Sequence, residues 1–593
     1  MTNQEIAKIL YEIAEYLEMK DIQFKPRAYE RAALSIENLE DDVSEVYKKQ
    51  GIKGIEKIPA VGKSIAESIE ELIKTNKLKY YEKLKKKMPV NLRELTAVEG
   101  VGPKMIMKLY KNLGIKDLKG LEKAAKAGKI RDLEDFGEKT EENILQGIQF
   151  LRESGNRFVL GFIMPDVRRI EERIGNFSGV KKAIVAGSIR RMKETIGDGD
   201  LLVTVSSPPR LASGEAGPKT AKKITEFFVN MPEVEHIYAQ GPTKSSVRLK
   251  NGMDFDLRVV PEESFGAALQ YFTGSKAHNI ALRKIAIKKG LKLNEYGVFR
   301  GKKRVGGRNE EEVYKILGLK WMEPELRTDT GEIEAALRGA QGKPAGLPKL
   351  IKYNDLKGDL QIQTSWTDGS NSIEDYVDEA IKIGLEYIAI TDHTKSLAMT
   401  GGLDEKDLAR QGRKIDQLNL KLKRKNAKFK ILKGAEVNIL KDGRLDIKDE
   451  TLKKLDIVAI AVHSGFKTSN KEMTERIIKA MKNPYADILF HPTGRLINRR
   501  PPYQVDIEKI IRVAKGTKTI LEINAYPDRL DLKDEHARMA KEAGVKLVID
   551  SDAHNISHLH YLEFGIAQAR RAWVEKKDVI NAWPIERMLK MLR

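Results

Sequence analysis

The sequence predicts a multidomain chain of mixed α+β and α/β class, in which helical and mixed regions precede a seven-stranded βα barrel. Three observations predict it. Residues 1–150 carry apolar side chains at helical spacing, for example Ile6, Ile9, Leu10 and Ile13. From about residue 150 the pattern switches to mixed strands and helices. After the stretch Gly339 to Pro348, short apolar runs alternate with helical patterns to the C-terminus, the signature of a βα repeat. The chain is thus expected to divide into helical segments 1–85 and 86–150, mixed segments 151–262 and 263–336, a linker 337–352 and a barrel 353–593.

Composition narrows the class. A length of 593 residues predicts several packed domains. The absence of Cys rules out disulfides, thiolate zinc sites and a cysteine nucleophile, and fits a reducing, cytoplasmic setting. No apolar run approaches the length that spans a bilayer, and residues 1–5 lead straight into an amphipathic helix rather than a signal peptide. The formal charge of +21 points to a polyanionic partner, nucleic acid before an acidic membrane. The excess is spread along the chain, +10 over residues 1–335 and +11 over 336–593. A solvated Lys/Glu surface would give the same total, so motifs must decide.

In the helical region a short piece recurs. Ile58-Pro59-Ala60-Val61-Gly62-Lys63 and Val98-Glu99-Gly100-Val101-Gly102-Pro103-Lys104 each lead into a helix, and Asp135-Phe136-Gly137-Glu138-Lys139 is a degenerate third copy. A Gly-containing turn before a helix presents free N–H groups to a phosphate oxygen, and a nearby Lys adds charge without reading a base. These pieces resemble helix-hairpin-helix DNA-binding motifs, with Gly62, Lys63, Gly100, Gly102 and Lys104 as the expected DNA contacts. Ala60 departs from the pattern, where Gly is typical.

The strongest signal begins with the strand-like run Ala183-Ile184-Val185-Ala186, which ends in Gly187-Ser188. Arg190, Arg191, Lys193 and Glu194 follow, then Gly197-Asp198-Gly199-Asp200 and a second apolar run, Leu201 to Val205. Residues two apart on a strand face one side, so Asp198 and Asp200 can share metal ions. Gly187 allows close backbone approach, and Ser188 with Arg191 could hold a triphosphate. A hairpin with an Asn251-Gly252 turn then places Asp254, Asp256 and Arg258 on one face of its second strand. A third carboxylate beside the first two would complete a two-metal site for phosphoryl transfer.

The run from Gly187 to Asp200 resembles the nucleotidyltransferase signature of the family X DNA polymerases, the group of DNA polymerase beta. Tyr271-Phe272-Thr273-Gly274-Ser275, Asn279, Arg283 and Asn294-Glu295-Tyr296 extend the resemblance. It implies a palm over 151–262 and a nucleotide-selecting, thumb-like subdomain over 263–336. Asp198, Asp200 and Asp256 would be the catalytic ligands of two Mg²⁺ ions, one activating the primer 3′-hydroxyl and one holding pyrophosphate. Gly187, Ser188, Arg191 and Gly197 would surround the triphosphate. Tyr271, Phe272 and Gly274 would pack on the sugar, Asn279 would touch the incoming base, and Arg283 the template. Two departures are visible. The family's lyase nucleophile is a Lys, and the matching position is Ser68, which cannot form a Schiff base. A second triphosphate-binding Arg aligns with Ile163.

In the C-terminal region seven apolar runs finish near Gln361/Gln363, Asp392-His393, Glu436, His463, His491, Asn524, and Asp552 with His554. Ligand-type residues at successive strand ends converge on one face of a barrel. The set resembles PHP domains, which use up to three metals to hydrolyse phosphoesters and which bacterial and archaeal family X polymerases carry. The resemblance implies Asp368, His393, Glu436, His463, His491, Asp552 and His554 as ligands of Mn²⁺ or Zn²⁺. PHP domains open on an H-x-H pair, and here Gln361-Ile362-Gln363 stands instead. An amide oxygen is a weaker ligand than imidazole nitrogen, so one metal position is expected to be weakened or empty.

These readings together predict a template-dependent polymerase filling short gaps in repair, monomeric, with gapped or primed duplex DNA and dNTPs as partners. The barrel is expected either to keep a 3′–5′ exonuclease or to persist as a DNA-binding scaffold. A PHP nuclease with a polymerase-like DNA-binding module, and a template-independent transferase, are the competing classes. The three aspartates and the Tyr-Phe-Thr-Gly-Ser segment weigh against the former, the hairpins and Arg283 against the latter.

Overall fold

A computed structural model describes residues 1, 3–37, 39, 42–98, 101–154, 157–205, 219–341, 346–424 and 428–592. Gly100 and linker residues 342–345 lie outside them.

Up to Ser154 the described elements are helical. The first helix, Asn3–Met19, buries Ile6, Leu10, Ile13 and Leu17 against Ala32, Ala33 and Ile36 of the second, Lys25–Glu37. All three repeated pieces share one backbone hydrogen bond. The backbone N–H of Val61, Val101 and Phe136 donates to the carbonyl three residues back at 3.1, 3.0 and 3.0 Å. Each turn is followed by a helix: Lys63–Thr75, Pro103–Leu113 and Glu138–Ser154. Ala60, which the motif normally fills with Gly, and Asp135 of the degenerate copy both take left-handed backbone, φ 61° and 70°. That conformation costs a residue with a Cβ, so these turns hold it against intrinsic preference.

The next region is a five-stranded sheet. Its spatial order is Val180–Val185, Asp198–Val205, Asp254–Val259, Lys244–Leu249 and Val234–Gln240. The expected hairpin forms, with Gly252 at φ 88°. Phe255, Leu257 and Val259 point into the core, leaving Asp254, Asp256 and Arg258 half-buried on the opposite face. Asp198–Val205 and Asp254–Val259 run parallel, and their register sets Asp198 beside Asp254 and Asp200 beside Asp256.

Helices Phe265–Thr273 and Lys276–Lys288 follow, then three short antiparallel strands and helix Glu310–Ile316. A buried ion cluster ties this unit to the sheet. Glu310 takes Arg190 at 2.7 and 2.8 Å and the fully buried Arg327 at 2.6 and 3.1 Å. Burial raises the Glu310 pKa, but the two guanidinium groups outweigh it and hold the carboxyl near about 2. Removing one partner of such a cluster strands the others without compensation. Glu310→Ala should therefore cost about 3–5 kcal/mol of stability, read as a lowered denaturation midpoint.

The C-terminal region is a barrel of seven parallel strands in sequence order, from Gly358–Asp359 to Leu547–Asp550. A bridge between Ile362 and Ala553 brings the first and last strands together. Ile388 and Ile390 pack outward on the helices, while Tyr387 and Ala389 face a second core that includes Ile580, Trp583 and Met588. The described ends of the linker expected over 337–352 carry ordered contacts. Helix Glu332–Ala340 takes its start, and the fully buried Ile351 at its end donates to Val574 O at 3.1 Å.

The barrel docks on the five-stranded region. Arg495 holds Glu194 at 2.7 and 3.2 Å, and Arg168 meets Glu563 at 3.0 and 2.5 Å. Arg571 pairs with Asp534 and donates to Met192 O. Ile497, Leu530 and Phe564 share a core with Leu160 and Ile163. Ile163, the residue aligned with a triphosphate Arg, thus lies in an apolar seam.

Candidate functional site

The first candidate site lies where the parallel strands start. Asp198 is exposed, and Asp200 and Asp256 are half-buried at paired positions. Burial first, then the charges of Asp198 and Asp256, push the Asp200 pKa up to about 6. Carboxylates crowded enough to resist ionisation together are a ready site for divalent cations. Lys244 at 3.2 Å and Arg258 at 3.7 Å from Asp256 partly neutralise the cluster. Gly187 adopts φ 65°, and a Cβ there would lie 3.2 Å from Asp200 Oδ2, so this turn abuts the carboxylates closely. Gly199 is required by packing, because a Cβ would sit 2.4 Å from the Phe255 ring.

Beside this cluster is a surplus of positive charge. Ser188 lies in the turn Gly187–Arg190, and Arg191 caps it. Arg191 donates to Thr273 O, while its Nε is buried without a partner. Burial, then Arg327 and Arg157, push the Arg191 pKa down to about 10. A guanidinium destabilised by other cations is primed for an anion. Gly274, at φ 65°, borders it, since a Cβ would lie 3.2 Å from Arg191 Nη1. Gly197 is exposed before Asp198.

Tyr271 and Phe272 stack edge-on at 5.1 Å, Phe272 lies under Arg258 at 4.7 Å, and Arg283 sits 6.0 Å over Tyr271. The pair is a half-buried wall facing the palm-like strands rather than a closed core pair. Asn279 differs from expectation. It is buried, accepts from Gln270 at 2.6 Å and donates to Tyr271 O at 2.7 Å, so its amide serves first to brace the Tyr271 turn.

Among the hairpin residues, Gly62 and Gly102 are N-caps exposed at the starts of their helices, with Lys63 beside Gly62. Lys104 is engaged by Asp21 at 2.8 Å, an exposed pair weak enough to exchange for phosphate. Ser68 donates to Ser64 O at 3.0 Å.

The second candidate site is the barrel mouth. Asp368, His393 and His554 form one group able to hold a metal ion, and His393, Glu436 and His463 another. Glu436 is central: its Oε1 lies 2.9 Å from Nε2 of both His463 and His491. Asn438 fixes the far nitrogen of His463 at 2.7 Å, the orienting contact that metal-binding imidazoles use. Burial lowers the His554 pKa, but Asp368 reverses this and carries it up to about 10. Burial likewise raises Asp368, and His554 brings it down to about 2. Gln361 and Gln363 reach the same carboxylate, donating Nε2 to Glu436 Oε2 at 3.1 and 2.7 Å. Asn524 donates to both Gln361 Oε1 and Asp552 Oδ2 at 3.1 Å. Asp552 therefore belongs to the amide side and not to either three-residue group.

Sequence reasoning missed Arg529, whose Nε is 3.0 Å from Asp552 Oδ2. It sits in a loop after the strand Ile520–Asn524, where no periodicity marks a functional side chain. It also missed the Glu194–Arg495 contact between the two regions.

A carboxylate cluster beside a guanidinium whose Nε is buried without a partner, with hairpins before it and a histidine-lined barrel after it, defines a nucleotidyltransferase joined to a metal-binding phosphoesterase-type domain. Family comparisons agree along the chain. A helix-hairpin-helix domain matches residues 1–78, and a SAM-like helix-hairpin-helix tandem 92–149. A DNA polymerase beta thumb matches 268–328, and a PHP domain 359–525. The chain is 37% identical to the DNA polymerase/3'-5' exonuclease PolX of Bacillus subtilis (strain 168), over 98% of each protein. It belongs to the PolX family, the family X DNA polymerases with a PHP domain. Its barrel region is also 34% identical to a probable phosphatase of Thermoanaerobacter sp. (strain X514), over 36% of this chain and 84% of that protein. Membership implies DNA as substrate and dependence on divalent metal ions. Among the described residues no helix is long and apolar enough to cross a membrane.

Proposed function

We propose that the chain is a template-dependent DNA polymerase that extends a primer 3′-hydroxyl with dNTPs across short gaps, in cytoplasmic DNA repair, as a monomer. The observation that carries this is the parallel register that brings Asp200 beside Asp256 with Asp198 two residues away, next to the Gly187 turn that leads into Arg191, whose Nε is buried without a partner. In this reading Arg191 and the Gly187-Ser188 turn hold the triphosphate, and Gly197 leaves room before the carboxylates. Tyr271, Phe272 and Gly274 wall the sugar, Asn279 braces that wall near the base, and Arg283 meets the template. Two Mg²⁺ ions bound by Asp198, Asp200 and Asp256 would supply the charge that activates the 3′-hydroxyl and holds pyrophosphate. Asp256 orients the attacking hydroxyl. Hairpin residues Gly62, Lys63, Gly102 and Lys104 grip phosphates, with no base read. Ser68 supplies no amine, so no lyase step is assigned.

The barrel is read as a centre for Mn²⁺ or Zn²⁺ that acts on phosphoesters at DNA 3′-ends. Asp368, His393, His554, Glu436, His463 and His491 offer donors of the right kind, and the amide side does not. The polymerase reading predicts filling of a gapped duplex with little extension of a single strand. Equal extension of the two substrates would overturn it.

A further inference from the structure

The side of the barrel mouth lined by Gln361 and Gln363 has the chemistry of a filled position. A divalent ion needs lone pairs directed at it, and both side-chain amides instead turn hydrogens toward Glu436 Oε2. Reversing either amide would press a carbonyl oxygen against the carboxylate, so the donor orientation is enforced. Gln361 Oε1 is already used by Asn524, which also caps Asp552. Gln363 Oε1 alone is left without a partner, and one neutral oxygen is a poor metal site.

Charge on this side is balanced by the protein. Asp552 is buried, and the carboxylates of Glu436, Glu522 and Asp528 act on Arg529 along with it. Among the described residues, Arg529 is the cation recorded against Asp552 besides the more distant His554, 3.9 Å away. Buried carboxylates of this density are accommodated by metal ions, by fixed positive groups or by taking up protons; Asp552 has the guanidinium of Arg529 3.0 Å away.

We infer that the Arg529 guanidinium takes the electrostatic place of one divalent ion. The barrel then binds two ions, one at Asp368, His393 and His554 and one around Glu436 and His463, where up to three are expected of a PHP domain. This rests on the reading of the barrel as a metal centre. It adds that the missing position is closed by a built-in cation and is not merely weak.

The test counts metal by mass spectrometry on the full chain carrying Asp198→Asn and Asp256→Asn, which removes the first site's ions. After Mn²⁺ loading and removal of excess, about two ions per chain are expected, and Arg529→Lys should keep that count. Adding Gln361→His, Gln363→His and Arg529→Gln together should raise it to about three. In metal-free protein Arg529→Gln alone should lower the thermal midpoint, because Asp552 loses its counter-charge. Three ions in the starting protein, or an unchanged midpoint in Arg529→Gln, overturns the role of Arg529 while leaving the metal centre standing. A folded triple variant that still binds two does the same. No bound ions in the starting protein overturns the metal-centre reading itself. If the triple variant does not fold, the starting count and the Arg529→Gln midpoint decide.

Discussion

Asp256→Ala lowers primer extension on gapped DNA by at least about 10³-fold and leaves Mn²⁺-dependent 3′-end degradation intact. The magnitude follows from what the carboxylate does. Positioning a metal ion at the reacting oxygens contributes several kcal/mol, and each 1.36 kcal/mol is tenfold in rate. Asp256 sits at the register position beside Asp200 and is one of two charges that raise its pKa. Its removal therefore takes away one ligand and lets a neighbouring carboxylate relax. Stability should change little, because Asp256 is half-buried and its cationic contacts, Lys244 and Arg258, are partly solvated. Extension assays on gapped duplex, run beside a nuclease assay on the same preparation, separate the two activities. Unimpaired extension by the variant would remove the assignment of the first site.

The second large effect is expected in the barrel. His554→Ala should reduce Mn²⁺-dependent 3′-end degradation by about 10²-fold or more while primer extension persists, since orienting groups alone are worth 10–100-fold at metal sites. His554 faces Asp368 at 3.6 Å, and the acid holds its pKa near about 10. At neutral pH the metal-free imidazole is therefore protonated, and an ion must displace that proton to bind. Metal loading should release a proton that the Ala variant does not, which calorimetry in buffers of different ionisation enthalpy would detect. Equal degradation by parent and variant would place the nuclease elsewhere.

Linear motifs made much of this architecture readable. Gly187 to Asp200 is contiguous, its spacing fixes strand and turn, and the structure sets Asp198 and Asp200 where the alternation of a strand puts them. The seven barrel strands were legible as apolar runs ending in polar residues, though the first is only Gly358–Asp359, with Gln361 and Gln363 beyond it. Even the degenerate third hairpin repeats the backbone hydrogen bond of the others. What stayed hidden is made of single residues brought together from far apart. Glu194 and Arg495 are 301 positions apart, and Glu310 gathers Arg190 from 120 positions away. A lone Arg in a loop, as Arg529 is, carries no period and no motif. Asn279 shows the complementary limit: its position was legible, but the partners that occupy its amide were not.

The seam between the barrel and the five-stranded region bears on traffic. Arg495 and Glu194, Arg168 and Glu563, Arg571 and the Met192 carbonyl, and the apolar contacts of Leu530 and Phe564 make a junction too well filled for a freely swinging domain. If both centres act on one DNA end, the end is what has to travel. A mispaired terminus would unpair, leave one mouth and find the other, and the choice between growth and trimming becomes a race between fraying and the next addition. Proofreading in such a machine is set by the dwell time of a strand, with the protein as a fixed stage.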